Sequence, residues 1–230
     1  MKILAIDTAT EACSAAVLSP QGMTTRYAEL DRGHAEQILE MVDAVLAESG
    51  CRLKGLDAVA FGRGPGAFTG VRLAASVVQG LAFGADLRVV PVSDLRAVAQ
   101  RAFDEVASLR SALVCSDARM HEVYWACYGR GPAGMAELLG EERVGTPDTV
   151  TLALGTPAPA GGVGRGFQAY PELQGRMADS LTVVCPQLLP RAHEIARLGL
   201  AELVAGHSVS AEEALPVYLR DDVARSPSRD

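Results

Sequence analysis

Paired histidines, paired cysteines and excess positive charge are all missing from this 230-residue chain, and each absence removes a class of function. The four histidines are His34, His121, His193 and His207, and no two of them stand three, four or five apart. No two can therefore share a helix face as metal ligands. The five cysteines, Cys13, Cys51, Cys115, Cys127 and Cys185, are odd in number and include no Cys-x-x-Cys. They read as small buried hydrophobes in a reducing compartment, not as a disulfide framework or a zinc site. Lysine and arginine number 21 against 28 acidic residues, a net charge of −7. Such a chain has no electrostatic footprint for nucleic acid, so a function involving RNA needs a partner to supply most of the phosphate contacts. There is no run of about 18 uncharged apolar residues, which excludes a membrane span on this criterion. The apolar N-terminus is interrupted by Asp7 and Glu11, unlike a signal peptide. The expected compartment is the cytoplasm. Aromatics are only 5% of residues, so the core must be built from alanine, valine and leucine.

What is present is ample for a core: 49% of residues are hydrophobic and mean hydropathy is +0.16. One large domain or two lobes of roughly 100 residues each fit this length. Residues 2–7, 13–18 and 23–30 read as three strands, the last two joined by the turn Pro20-Gln21-Gly22, an antiparallel meander. Residues 34–50 form an amphipathic helix. Ile38, Leu39, Met41, Val42, Val45 and Leu46 share one arc of about 160°, and Gly50 stands where a glycine would end the helix. Residues 57–62 read as a strand, and residues 71–84 as a helix. Arg72, Ser76 and Gln79 occupy a strip of only about 60° on that helix, so it must be covered on several sides, by the core or by a partner. A strand at 88–92 follows, and Ser93 can cap a helix reaching about residue 103.

At residue 112 the pattern restarts. Asp117 falls opposite Asp7, Val123 opposite Cys13, Cys127 opposite Val17 and Tyr128 opposite Leu18, at a constant offset of 110. The repeated order of strand, acid, turn and strand implies a duplicated α/β topology, with lobes at 1–104 and 105–215 and a C-terminal segment at 216–230. Residues 129–166, rich in Gly, Pro and Ala, resist assignment apart from a glycine-weakened strand at GGVGRG. Residues 188–206 read as a helix, and the polar end of the chain is expected to be disordered.

The loudest local signal is Gly62, Gly64, Gly66 and Gly70 between a strand and a helix. Backbone amides of such a loop can form an anion nest at a helix N-terminus. It is not a Walker A loop, since no Lys-Ser/Thr follows at the required spacing. It matches the dinucleotide pattern at Gly62, Gly64 and Ala67, but the preceding strand is the fourth and Asp94 lies 32 residues on, where about 20 is expected. A structural turn needing positive φ angles, or a partner contact, is the favoured reading. The turn Asp7-Thr8-Ala9-Thr10 offers an acid and hydroxyls suited to phosphates and a metal. Its second-lobe counterpart, Asp117-Ala118-Arg119, has an arginine and no glycine, so at most half a nucleotide site is present. The plainer role for Asp7 is a carboxylate capping its own turn. No nucleophile with a base and an orienting acid is visible.

ILAIDTAT at the N-terminus, GRGPGAFTGVR at 62–72, SDARMHEVYWACY at 116–128 and VYLR at 217–220 together resemble the TsaB (YeaZ) family. The resemblance runs in order along the chain and is weakest between about 130 and 185. It implies the fold of the acetate kinase, sugar kinase, heat-shock ATPase and actin superfamily, two ribonuclease-H-like lobes. It implies a non-catalytic partner of TsaD, the paralogue that transfers a threonylcarbamoyl group to adenosine beside the anticodon of tRNA. It also implies that TsaE joins the complex, that tRNA is met only through the complex, and that the chain alone forms a homodimer. TsaD carries His-x-Glu-Gly-His on its first helix. Here that stretch is His34-Ala35-Glu36-Gln37-Ile38, so the second metal ligand is replaced by an apolar residue. No cofactor is implied, although a nucleotide between the subunits stays open. The helices at 34–49 and 71–84 become candidates for the interface with TsaD, with Met41, Val45, Val71 and Val78 as contact residues. Three other readings compete: an ATP-dependent phosphotransferase, a metallopeptidase-like enzyme and a dinucleotide-binding protein.

Overall fold

A strand with no polar position must be covered on both faces, and β1 (Ile3–Asp7) is buried at all five residues. It lies at the centre of a mixed sheet in the computed structural model, which describes residues 1–220. β1 pairs antiparallel with β2 (Ala12–Ser19) and parallel with β4 (Ala58–Gly62). β3 (Gly22–Glu29) and β5 (Arg88–Val92) are the edges, giving the order β3-β2-β1-β4-β5. Leu4 and Ile6 face α1 (His34–Glu48) and α2 (Phe68–Ala85). Ile3 and Ala5, of opposite pleat, face α6 (Ala192–Val204). Gly50 follows α1 with φ of +63°, the left-handed stop that its position predicts. Ser93 caps α3 (Asp94–Glu105), its hydroxyl accepting from the Arg96 amide at 3.3 Å.

The second sheet repeats the first. β6 (Ser111–Asp117) is central, β7 (Val123–Arg130) and β8 (Ala136–Gly145) continue antiparallel, and β9 (Ala160–Val163) and β10 (Val183–Cys185) lie parallel on the other side. The order β10-β9-β6-β7-β8 is the first order read from its other end. This is the two-lobed, ribonuclease-H-like α/β architecture expected of the actin-like superfamily, and β9 is the expected glycine-weakened strand.

The repeat departs from the gapless offset in one respect. Asp7 pairs with Ser14, whereas Asp117 pairs with Val123. The second hairpin turn is thus one residue shorter, and Val123 corresponds to Ser14 rather than to Cys13. Because strand side chains alternate, the fixed offset would place every β7 residue on the wrong face.

The lobes also exchange helices. α3 follows the first sheet in sequence yet packs on the second, burying Leu95, Val98 and Phe103 against Val114 and Tyr128. α6 follows the second sheet and packs on the first. A division of the chain at residue 104 separates the sheets but assigns both helices to the wrong lobe. α4 (Gly166–Ala169) and α5 (Pro171–Arg176) cover the remaining face of the second sheet through Phe167 and Leu173.

α6 reaches the first sheet at Gly199, where a Cβ would lie 2.7 Å from Ala60 Cβ and 3.3 Å from Ile3 Cδ1. Gly199→Val should cost about 1–3 kcal/mol by overpacking. Gly80→Ala on α2, with open space around it, should stabilise by about 0.5–1 kcal/mol. Urea unfolding of the two variants beside the parent measures both signs.

Candidate functional site: a closed phosphate turn beneath an interlobe cleft

The glycine loop is shaped by what it packs against. Of its four glycines only Gly64 has a positive φ, +98°. Gly66 and Gly70 are required for another reason: a Cβ on either would overlap the carbonyl oxygen of Ala9 or Thr8. The start of α2 thus presses directly on the β1–β2 turn. The Ala67 amide donates to the Ala9 carbonyl at 2.7 Å, and the Thr8 hydroxyl to the Gly70 carbonyl at 2.7 Å. The turn needing positive φ angles, expected from the sequence, has one such glycine in Gly64, and at Gly66 and Gly70 the requirement is close backbone approach.

Asp7 and Asp94 are buried side by side beneath Gly62, whose Cβ would strike both carboxyls. Asp7 Oδ1 accepts from the Ala9 amide at 2.9 Å, capping its own turn. Asp94 Oδ2 accepts from the Gly64 amide at 2.5 Å. Asp7 Oδ2 and Asp94 Oδ1 have no other hydrogen-bond partner. Burial raises both carboxyls above the ordinary value of 3.8, Asp94 the further because it also faces the Asp7 charge. Two carboxyls packed this closely in the interior resist carrying two charges, which favours the protonated form of Asp94. The Asp7-Thr8-Thr10 turn, expected as a remnant phosphate site, therefore has its acid turned inward. Gly64 and Gly66 are engaged with Asp94 and Ala9 rather than opening as an anion nest.

Above this turn lies a cleft of about 850 Å³ between the lobes, lined by Thr8, Thr10, Phe68, Asp117, Arg119 and Tyr218 among others. Ion pairs cross it. Glu11 meets Arg119 at 3.2 Å and Arg165 at 3.6 Å, and Arg165 also pairs with Glu29. The second-lobe turn repeats the first, with the Arg119 amide donating to Asp117 Oδ1 at 2.8 Å. Arg119, Met120 and His121 all have φ near +60°, an arrangement that costs on the order of 1 kcal/mol per residue. The segment after residue 214 straps the cleft. The Val217 amide donates to the Arg63 carbonyl at 2.8 Å, and Arg220 reaches the Ala118 carbonyl at 3.2 Å and the Glu122 carboxylate. The His34 ring contacts the Thr10 carbonyl at 3.0 Å, and Ile38 is fully buried. Glu11 and Arg165 were not singled out in the sequence as site residues, because each draws its partners from the other lobe; nor was Glu142, which joins Arg63 of the first lobe to Tyr128 of its own.

Similarity to known proteins covers the same length as this geometry. The family model for TsaD, tRNA N6-adenosine threonylcarbamoyltransferase, matches residues 27–227. Two relatives named tRNA threonylcarbamoyladenosine biosynthesis protein TsaB, from Haemophilus influenzae and Escherichia coli, are each 40% identical over 97% of this chain and cover 95% and 96% of their own lengths. The chain belongs to the TsaB (YeaZ) family. Two solved structures from Pseudomonas aeruginosa agree. One is described as YeaZ (40% identity, TM-score 0.85) and one as an uncharacterized protein with similarity to peptidase YEAZ (41%, 0.86). Each covers 95% of this chain and 99% of its own.

The interface residues expected from the TsaB resemblance are interior ones. Met41 is 8% exposed, Val71 2%, and Val45 and Val78 not at all. They belong to the first-lobe core together with Leu4, Ile6 and Phe61. The middle of an apolar arc read from sequence marks the side facing the sheet, whereas Leu39 at its edge lies outside, so a charge at Val78 would test folding alone. The outward positions of the same helices are different: Leu39 is 50% exposed, Phe68 49% and Phe83 74%, with Ser76 and Gly80 between the latter two and Gly84 beside Phe83.

Burial of this carboxyl pair makes stability depend on pH. A carboxyl raised on folding binds protons more tightly in the native state, so stability falls as pH rises. The contribution is full below about pH 3.8 and is lost as pH climbs through the raised native value of Asp94. Asp94→Asn can still donate to Asp7 and accept from Gly64 without titrating. The denaturant midpoint of the parent should fall relative to that of D94N as pH rises above about 3.8; parallel profiles would show that Asp94 is not raised on folding.

Proposed function

We propose that the chain is an accessory subunit in the biosynthesis of threonylcarbamoyladenosine in tRNA, without chemistry of its own, and that it acts by binding a TsaD-type transferase subunit. The observation that carries this reading is its 40% identity, over 97% of its length, to proteins named for that biosynthesis. The closed turn adds support. A phosphoryl-transferring relative would need free amides and an outward acid, whereas here the Gly64 amide is committed to Asp94, the Ala67 amide to the Ala9 carbonyl, and Asp7 to the Ala9 amide. With a net charge of −7, contact with tRNA falls to the complex rather than to this subunit.

The docking face in this proposal is the outer side of α1 and α2. Leu39 and Phe83 supply exposed apolar area, and Ser76, Gly80 and Gly84, spaced by four, let a second helix approach closely. The same face serves a homodimer when the chain is alone. A TsaE-type ATPase joins the assembly, and the complex works in the cytoplasm.

Size-exclusion chromatography with light scattering, on this chain with and without the TsaD-type subunit of the same source, tests the reading. A one-to-one complex is expected. Phe83→Glu, at a position 74% exposed, should abolish it while unfolding within about 0.5 kcal/mol of the parent. Failure of the parent chain to bind would remove the accessory role. Full binding by F83E would move the interface off this face.

A further inference from the structure

Phe68, Arg72 and Tyr218 form an exposed cluster at the mouth of the cleft. The Arg72 guanidinium lies 3.5 Å from the centroid of the Phe68 ring, one helical turn earlier, and 5.5 Å from that of Tyr218. Its Nε donates to the Tyr218 hydroxyl at 2.7 Å. The rings are 6.0 Å apart, and Phe68 and Tyr218 remain 49% and 44% exposed. Among the described residues no hydrogen bond or ion pair engages the two terminal nitrogens of Arg72, whereas Arg63, Arg96, Arg119 and Arg165 each hold a carboxylate. The result is a guanidinium whose plane is fixed by stacking and whose Nε is already taken, with its remaining donors turned outward.

We infer that Arg72, held by Phe68 and Tyr218, is an anchor for a carboxylate of the partner protein that docks on the outer face of α2. The inference rests on the accessory-subunit reading above. A planar fork matches the two oxygens of a carboxylate, and stacking removes much of the rotamer entropy that binding would otherwise cost. Arginine and tyrosine surrounded by apolar area are typical of the few residues that dominate interface energies. Phe68, Arg72, Ser76, Gly80 and Gly84 follow one another at intervals of four, so the guanidinium stands on the stripe where a partner helix can approach. A phosphate would also fit the fork. The net charge of −7 and the three-residue aromatic setting, with no second cation stacked in it, favour a protein carboxylate.

Isothermal titration of the full chain with the TsaD-type subunit, at low and moderate salt, tests this. Arg72→Ala and Arg72→Lys should each weaken binding on the order of 10- to 100-fold, since a lysine keeps the charge but loses the fork and the stacking. Tyr218→Phe should weaken it less, and thermal unfolding of all three should match the parent. Undiminished binding by R72A overturns the inference, as does full affinity in R72K. Normal complex formation by R72A with weakened tRNA binding by the complex would make the ligand a phosphate and overturn it as well. Absence of binding by the parent chain removes both this inference and the reading beneath it; binding by the parent with an unaffected R72A removes the inference alone.

Discussion

Two buried carboxyls packed side by side under Gly62 set the arrangement of everything around them. Asp7 ends the central strand of the first sheet, and Asp94 begins the helix that crosses to the second. Neither could stay buried as an isolated charge, because an unpaired carboxylate in the interior costs several kcal/mol. Their pairing is possible only where β1, β4 and the start of α3 converge, and only with glycine at position 62. The same point ties in the second lobe. Ser93, beside Asp94, bonds Glu142 of β8, which also accepts from the Tyr128 hydroxyl at 2.8 Å and pairs with Arg63 at 3.2 Å. Polar side chains from both lobes therefore meet at this junction, inside an otherwise apolar joint where each buried polar group needs a partner.

The network decides what the cleft can be. A glycine-rich loop serves an anion when its amides are free and converge. Here the Gly64 amide is committed to Asp94 and the Ala67 amide to the Ala9 carbonyl, and backbone fills the space a phosphate would need. The arginines above the turn, Arg119 and Arg165, are held by Glu11. The charges that an anionic ligand would seek are thus neutralised from within the chain. These exposed ion pairs contribute little stability individually.

Much of this was legible from residue order. The buried central strand, the meander, α1 with its terminal glycine, the Ser93 cap and the restart at Asp117 all follow from local rules: periodicity, capping and turn chemistry. The losses have physical causes. The one-residue contraction of the second hairpin is invisible to a fixed offset, since Asp7 and Asp117 both cap their turns in the same way. The exchange of α3 and α6 is decided by which sheet offers an uncovered face, and no local pattern carries that. Gly66 and Gly70 look like positive-φ positions in sequence, and only the contact with Thr8 and Ala9 reveals close approach. The interface residues were misplaced because an apolar arc identifies the side that is buried, whatever buries it. Met41 and Val78 were claimed by the sheet, which left Leu39 and Phe83 outside.

Asymmetry between the lobes then explains where a partner can dock. The duplication preserves strand order but not helices. The first lobe keeps α1 and α2, 15 and 18 residues long, whereas the second has only a short turn at Pro147–Thr149 in place of α1, and α4 and α5, of four and six residues, in place of α2. A short helix spends its few side chains on covering the sheet and has no second face to offer. A helix of 18 residues has five turns, enough to bury Val71, Ala74, Ala75, Val78 and Ala82 inward and still present Phe68, Arg72, Ser76, Gly80 and Phe83 outward. The outward set carries apolar area, small residues for close approach and one oriented charge, the three ingredients of a specific helical contact. With Asp7 turned inward to cap its own turn, the outward surface of the first lobe that fits the proposed docking lies on helices that have no counterpart of similar length in the second.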